Sequence, residues 1–408
     1  MKATTVEKEM IQRPAAPPHE AGLEPVAPVA KAAASRSIRP TTIIEFAVLL
    51  PLTLVAMEAV LGFAGVGQQE ILQPDRQIGC VHIPGKKVTW RLEGFSNDSF
   101  SSAGLRDVEH QVQKPAGTLR IAFLGDSATE GLQVKMSETF AKKLEAQLIA
   151  NASDTKQKHV EVLNFGCSSY STGQELLQFD RQVAKYKPDL TVVLMVLGDT
   201  LENSVDLAHK GQAEPKPYFY LDHAGALKED DSVLLANASK LAPNPVIDFL
   251  RRTSCLYGVW SQINFNWSLT DKLYFRLTHL ARDICKRLEG KSKAVAAPIY
   301  PPQDQLKVTQ ALVASFNQRV KANQGKFALM VFPDITGSNV TWANDIAQLK
   351  TQGQSQGFDV IDLNQPFKAQ KDPGSLFLEY HFSKEGHAVV ADTVLQYLKS
   401  NLGWRVDK

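Results

Sequence analysis

Cysteine is scarce in this chain of 408 residues: Cys80, Cys167, Cys255 and Cys285 stand far apart and form no C-x-x-C pair. That spacing argues against a zinc site. Export would allow Cys255 to pair with Cys285, although free buried thiols are the plainer expectation. An excess of charge is missing too, because 45 basic against 43 acidic residues leave a net +2. With no basic stripe interleaved with aromatics, a nucleic-acid partner is not expected. The chain has no G-x-G-x-x-G and no G-x-S-x-G after a strand, no G-x-x-x-x-G-K-[ST] and no H-E-x-x-H. Dinucleotide, phosphate-loop, metalloprotease and strand-elbow hydrolase chemistries are therefore set aside, and no cofactor or metal is expected.

Residues 1–40 are rich in Ala, Pro and charge and almost free of aromatics, so they cannot bury a core and are expected to be disordered. At Thr41 the character changes. From Ile43 to Gly67 the sequence IIEFAVLLPLTLVAMEAVLGFAGVG is mostly apolar, long enough to cross a bilayer at 1.5 Å per residue. Glu45 suits the interface, whereas Glu58 falls in the second half, where a charge costs on the order of 2.5 to 3.5 kcal/mol at the bilayer centre. A soluble core helix would have to be apolar nearly all round, and forty preceding residues disfavour a cleaved signal peptide. Residues 41–67 are thus expected to be a transmembrane anchor. Arg36 and Arg39 precede the span and Glu70 and Asp75 follow it, which places the N-terminus in the cytoplasm and the remainder outside it, periplasmic or extracellular.

Beyond a connector at 68–117, with short β-like runs such as KKVTWRLEGF and no identifiable site, strands and helices alternate. Strands are expected at Leu119–Leu124, Val160–Asn164, Leu190–Leu197, Phe327–Phe332 and Asp359–Leu363. Helices are expected at Glu138–Ala150, Gly173–Tyr186, Thr341–Gln352 and Lys384–Ser400, the last capped by Ser383. Five strands with intervening helices point to a parallel sheet with right-handed crossovers. The stretch between the third and fourth strands is far longer than an ordinary crossover. It carries a hairpin-like PKPYFYLDHAGALKED and helix-like runs near Ile247–Ser261, Thr270–Leu288 and Gln303–Gln324. One run must be the crossover helix; the others are candidates for a cap whose aromatics Tyr218, Tyr220, Trp260, Phe265 and Trp267 either line the site or only pack the insert.

The stretch that orders the rest is TLRIAFLGDSATEGLQV, Thr118–Val134: a strand, a glycine turn and the start of a helix. Function in open α/β sheets sits at such strand ends, although a serine there also serves simply as a helix cap. Gly125, Asp126, Ser127, Thr129 and Gly131 resemble the first block of the SGNH/GDSL hydrolase superfamily. Asn164 and Gly166 in VEVLNFGCSSYSTGQELL stand on the second block, and Glu379-Tyr380-His381 near the C-terminus on the last. The resemblance implies a three-layer α/β/α sandwich with a five-stranded, mainly parallel, flavodoxin-like sheet over 118–402, with an insert at about 199–325 and the transmembrane helix before it.

It also implies roles for particular residues. Ser127 is the nucleophile, His381 the base that takes its proton and Glu379 the acid that orients the imidazole, in a position where the family usually has Asp. The backbone N–H groups of Ser127 and Gly166 hold the oxyanion. The family's third donor is an Asn side chain after the third strand, and here Asp199 occupies that place. An ionised carboxylate accepts only, and loss of such a donor costs about 10² to 10³ in rate. Thr200 and Asn203 are the nearby substitutes, and a protonated Asp199 is a third way out. Three functions follow: a hydrolase removing an O-acyl group, acetyl first, from an extracytoplasmic glycan; an O-acyltransferase to a sugar hydroxyl; or a non-catalytic glycan-binding protein with a degenerate oxyanion hole.

Overall fold

The computed structural model describes residues 40–150, 159–207, 214–239, 241–263 and 304–401. The expected helix at Thr270–Leu288, Phe265, Trp267, Cys285 and the N-terminal tail lie outside them. Two units are distinguished, Met1–Thr53 and Leu54–Lys408. The described part of the first belongs to helix α1 (Pro40–Ala64), which contains Pro51 and an apolar segment, Ala47–Ala64, long enough to cross a membrane.

In the second unit two antiparallel pairs come first, β1 (Leu72–Asp75) with β2 (Gly79–His82) and β3 (Lys87–Trp90) with β4 (Ser96–Ser99). Then follow β5 (Thr118–Gly125), α2 (Ser127–Glu130), α3 (Phe140–Ala150), β6 (His159–Asn164), α4 (Thr172–Arg181) and β7 (Leu190–Met195). The expected hairpin is β8 (Tyr218–Leu221) with β9 (Leu227–Asp230), and the insert continues with α5 (Pro245–Thr253). Helix α6 (Gln305–Ala322) is the crossover to β10 (Lys326–Val331); α7 (Val340–Gln356), β11 (Asp359–Asp362), the short pair β12 (Phe377–Leu378) and β13 (His381–Phe382), and α8 (Lys384–Asn401) complete the unit.

The main sheet runs β11-β10-β7-β5-β6 and every pairing in it is parallel. All eight residues of β5 are buried, and the pleat divides them between two cores. Leu119, Ile121 and Phe123 pack with α3 and α8, while Ala122 and Leu124 pack with α4, α6 and α7. A strand clothed on both faces has no solvent side, which is why Ile121–Leu124 is apolar throughout, while the buried Arg120 is paired with Glu161. The order in which strands are added reverses between β5 and β7, and the crevice at their carboxyl ends is where such sheets place ligands.

The residues before β5 are bound tightly to the turn that follows α2. Ser96 Oγ donates to Leu132 O at 2.6 Å, Phe95 N to Gln133 O at 3.1 Å, and the buried Arg106 guanidinium to the carbonyls of Glu130, Gly131 and Val134. Ile71, Val88 and Phe100 close an apolar patch over Leu132.

His387 links the two outer helices of one layer. Buried in α8 against Phe140 and Phe382, it accepts the first backbone N–H of α3, from Phe140, on Nδ1 at 3.2 Å. Burial first, and then the charges of Arg106, Lys143 and His381, push its pKa from 6.5 down to about 3. The unfolded chain binds a proton near pH 6.5 and the folded one does not, so stability is full above that pH and falls as pH drops from 6.5 toward 3, by a linkage on the order of 5 kcal/mol. Melting temperature should fall between pH 7 and 4, and His387→Gln, which keeps an acceptor for Phe140 N but does not titrate, should flatten the curve. Identical curves for the two proteins would contradict this role.

Candidate active site

Three turns bring the site together. At the end of β5, Gly125 has φ +155° and a Cβ there would lie 2.1 Å from Thr129 Oγ1, so only glycine fits. Asp126, rather than Ser127, is the N-cap of α2: its Oδ1 accepts Ala128 N at 2.9 Å, and Ser127 becomes the first helical residue with its side chain free for other contacts. Its hydroxyl lies 2.8 Å from His381 Nε2. His381 starts β13, held by the two pairings with β12 and by Ser383, whose Oγ accepts Gly386 N at the start of α8.

The other imidazole nitrogen is 2.6 Å from Glu93 Oε2. Glu379, the expected partner, is a tip residue of the β12–β13 hairpin with φ +50°, exposed to solvent. Two residues of separation in a tight hairpin turn the side chain outward instead of back onto the ring, which corrects the assignment of Glu379. Glu93 comes from the β3–β4 loop, which had carried no identifiable site; it too has positive φ, +60°. Beside it, Gly94 passes so close to Gln133 O that a Cβ would stand 2.2 Å from it. The loop is thereby pressed against the turn that follows the serine. Both His381 and Glu93 keep about a fifth of their side-chain surface exposed. With Nδ1–H donated to the carboxylate, Nε2 is the acceptor for the serine proton.

The oxyanion side differs from expectation. Gly166 N donates to Asn164 Oδ1 at 2.9 Å, and Asn164 Nδ2 donates to Thr129 O at 3.0 Å. Gly166 also approaches the backbone of Glu130 so closely that a Cβ would meet Glu130 N at 2.3 Å. Its N–H is thus engaged inside the turn. Asp199 is 2% exposed, and its Oδ2 accepts Val196 N at 3.0 Å and Thr172 Oγ1 at 3.2 Å. Burial, and then the Asp126 carboxylate, push its pKa well above the ordinary range. Neither substitute reaches the site: Asn203 accepts Gly173 N and donates to Thr309, and Thr200 donates to Leu197 O. The expectation that Asp199 stands in the oxyanion hole is therefore replaced by a buried carboxyl bonded to Val196 and Thr172.

Two further carboxyls surround it. Glu175, fully buried in α4 and without a hydrogen-bond partner for either oxygen among the described residues, is pushed well up by burial and then by Asp199 and Asp126. Asp126 itself is raised to about 6, chiefly by burial. Behind the serine, Glu130 Oε1 lies 2.8 Å from His82 Nε2 and Oε2 accepts Ser168 N at 3.0 Å, joining β2, α2 and the loop after Gly166. Sequence reasoning missed Glu93, His82 and Glu130 because each acts across at least thirty-eight residues of separation.

If Asp199 merely replaced a missing amide donor, Asp199→Asn should raise turnover by about 10² to 10³. With its carboxyl directed at Thr172 and Val196, the substitution should instead leave kcat for a nitrophenyl ester within about tenfold of the parent, since no oxyanion contact changes. A hundredfold gain would contradict this geometry.

No family model and no curated protein matches the chain. Similar solved structures are found. An acetyl-xylooligosaccharide esterase, Axe2 from Geobacillus, is 12% identical with a TM-score of 0.40, the match covering 73% of this chain and 100% of that one. TesA is 12% identical with a TM-score of 0.36, over 69% and 98% of the two chains. A protein assigned to the lipolytic G-D-S-L family of Desulfitobacterium hafniense is 13% identical with a TM-score of 0.35, over 68% and 98%. The reading of the site rests on the contacts of Ser127, His381 and Glu93, and the solved structures to which the chain is similar include esterases and a G-D-S-L protein.

Proposed function

We propose that this protein is a serine ester hydrolase that removes an O-acyl group, acetyl first among the candidates, from an extracytoplasmic glycan. The observation that carries the reading is the relay Ser127 Oγ, His381, Glu93, closed by contacts of 2.8 and 2.6 Å. A serine hydroxyl becomes a nucleophile when a base takes its proton as it attacks.

In the proposed sequence, Ser127 Oγ attacks the ester carbonyl while its proton passes to His381 Nε2. Glu93 holds the opposite nitrogen and stabilises the imidazolium. The oxyanion faces the backbone N–H of Ser127, which as the first residue of α2 has no acceptor within its helix. Collapse of the tetrahedral adduct returns the proton from His381 to the departing alcohol and leaves acyl-Ser127. A water, deprotonated by the same nitrogen, then releases the carboxylic acid and restores the hydroxyl. Protein side chains supply every proton transfer in this scheme.

Export is part of the reading. Helix α1 supplies an apolar segment of spanning length, and Arg36 and Arg39 before it favour a cytoplasmic N-terminus. Residues 41–67 then serve as anchor, 68–117 as an extension packed on the catalytic domain, and 118–402 as that domain with its insert. The glycan is suggested by the exported location together with the acyl chemistry.

Ser127→Ala and His381→Ala should each reduce hydrolysis of a short-chain nitrophenyl ester by at least about 10³-fold. A fluorophosphonate should label the parent at Ser127 and fail to label the Ser127 variant. Turnover that is equal in all three proteins would reject the hydrolase reading, and no adduct in a folded parent would favour a glycan-binding protein.

A further inference from the structure

The end of the apolar helix and the catalytic acid are joined through one side chain. Arg91 donates Nη1 to Gly65 O at 3.2 Å and Nη2 to Ala64 O at 3.0 Å, where a cation meets the unpaired carbonyls of a helix C-terminus. Glu93 follows two residues later, a reach of about 7 Å at most. The loop that carries Glu93 is therefore tied to the end of α1. The loop that makes this link also exposes Leu92 and Phe95, at 61% and 52%.

The insert meets the same helix lower down. Glu58 precedes Ala64 by six residues, about 9 Å along a helix axis. Its carboxylate accepts from Ser254 Oγ at 3.0 Å, from Leu256 N at 3.1 Å and from Cys255 N. Those N–H groups open the helix at 255–263. An acid costly to leave unpaired at that depth thus caps a helix N-terminus, where backbone dipoles favour negative charge. Contact is close: a Cβ on Gly67 would lie 2.1 Å from Cys255 O, and one on Gly258 would lie 1.9 Å from Gly67 O.

On the outside of this junction, α5 exposes Val246 at 66% and Phe249 at 63%, and the following helix exposes Trp260 at 55% and Ile263 at 50%. The other side of α5 is tied down, with Arg251 Nε on Glu70 and Arg251 O accepting from Lys86 Nζ. A helix with one face salt-bridged to the protein and the other apolar and bare has the form of an interfacial element.

We propose that residues 245–263, with Leu92 and Phe95, form a lipid-facing surface continuous with the outer end of the apolar helix, seating the Ser127–His381–Glu93 site at the surface of the bilayer. The occupant is the bilayer itself. The argument for it is continuity: Glu58 belongs to the segment that enters the membrane, so the residues it caps sit at hydrocarbon depth. The inference rests on the reading of α1 as a membrane anchor.

The test uses the full-length protein reconstituted in phosphatidylcholine vesicles that carry a diazirine-bearing phosphatidylcholine, irradiated and mapped by mass spectrometry. Adducts are expected in both 47–64 and 245–263. A Phe249→Ser, Trp260→Ser double variant should lower the yield at 245–263 several-fold and leave the yield in 47–64 unchanged. Adducts confined to 47–64 would overturn the surface and keep the anchor. Adducts at 245–263 alone would support the surface and overturn the anchor, and adducts at neither would overturn both. Zero-length crosslinks between two copies through 245–263, with no lipid adduct there, would assign the face to self-association and overturn the proposal.

Discussion

The imidazole of His381 is held from both sides by parts of the chain that are far apart in sequence, and the site exists only while both hold. Ser127 reaches Nε2 from the strand end that the parallel sheet fixes, and Glu93 reaches Nδ1 from a loop that precedes the first strand of that sheet, Thr118–Gly125. A neutral imidazole has one donor and one acceptor, so a carboxylate on Nδ1 forces the acceptor onto Nε2, where the serine is. The hydrogen bonds that bind the β3–β4 region to the turn after α2 therefore support the chemistry as well as the packing. Arg106, Ser96 and Phe95 all end on carbonyls within eight residues of Ser127.

The acidic residues behind the serine follow a different logic. Asp126, Glu175 and Asp199 are crowded away from water; burial raises all three, Asp126 raises both of the others, and Asp199 raises Glu175. Ionising all three would place like charges in a region of low dielectric. Burial therefore pushes the pKa of Asp199 and of Glu175 upward, toward the uncharged form that avoids this cost. The departure from an amide at position 199 is thereby explained as a change in how the crevice floor is satisfied, with the carboxyl bonded to Thr172 and Val196.

Much of this was legible in the sequence, for identifiable reasons. The five strands of the main sheet were expected within two residues of where they lie, because the inner strands β5, β7 and β10 are written mostly in apolar residues. Ser127 and His381 stood out through the resemblance of Gly125-Asp126-Ser127 and of Glu379-Tyr380-His381 to two blocks of one hydrolase superfamily. Glu93 did not, because the hairpin loop that carries it has no periodicity and its contact with His381 spans 288 residues. Glu379 was favoured by proximity along the chain, and proximity misleads here, because Glu379 is exposed at the tip of the β12–β13 hairpin while Glu93 occupies Nδ1 of the imidazole. Glu58 read as a defect in an apolar segment because its partners at 254–256 lie nearly two hundred residues on.

The account stands on Glu93 as the carboxylate that orients His381, and the most direct test is the rate constant for inactivation by a fluorophosphonate at Ser127 in the parent, Glu93→Gln and Glu379→Gln proteins. An amide at position 93 no longer stabilises the imidazolium, so inactivation of Glu93→Gln should slow by about 10² or more, while Glu379→Gln should react like the parent. A parent-like rate in Glu93→Gln together with a slow Glu379→Gln would contradict it and return the role to the hairpin tip.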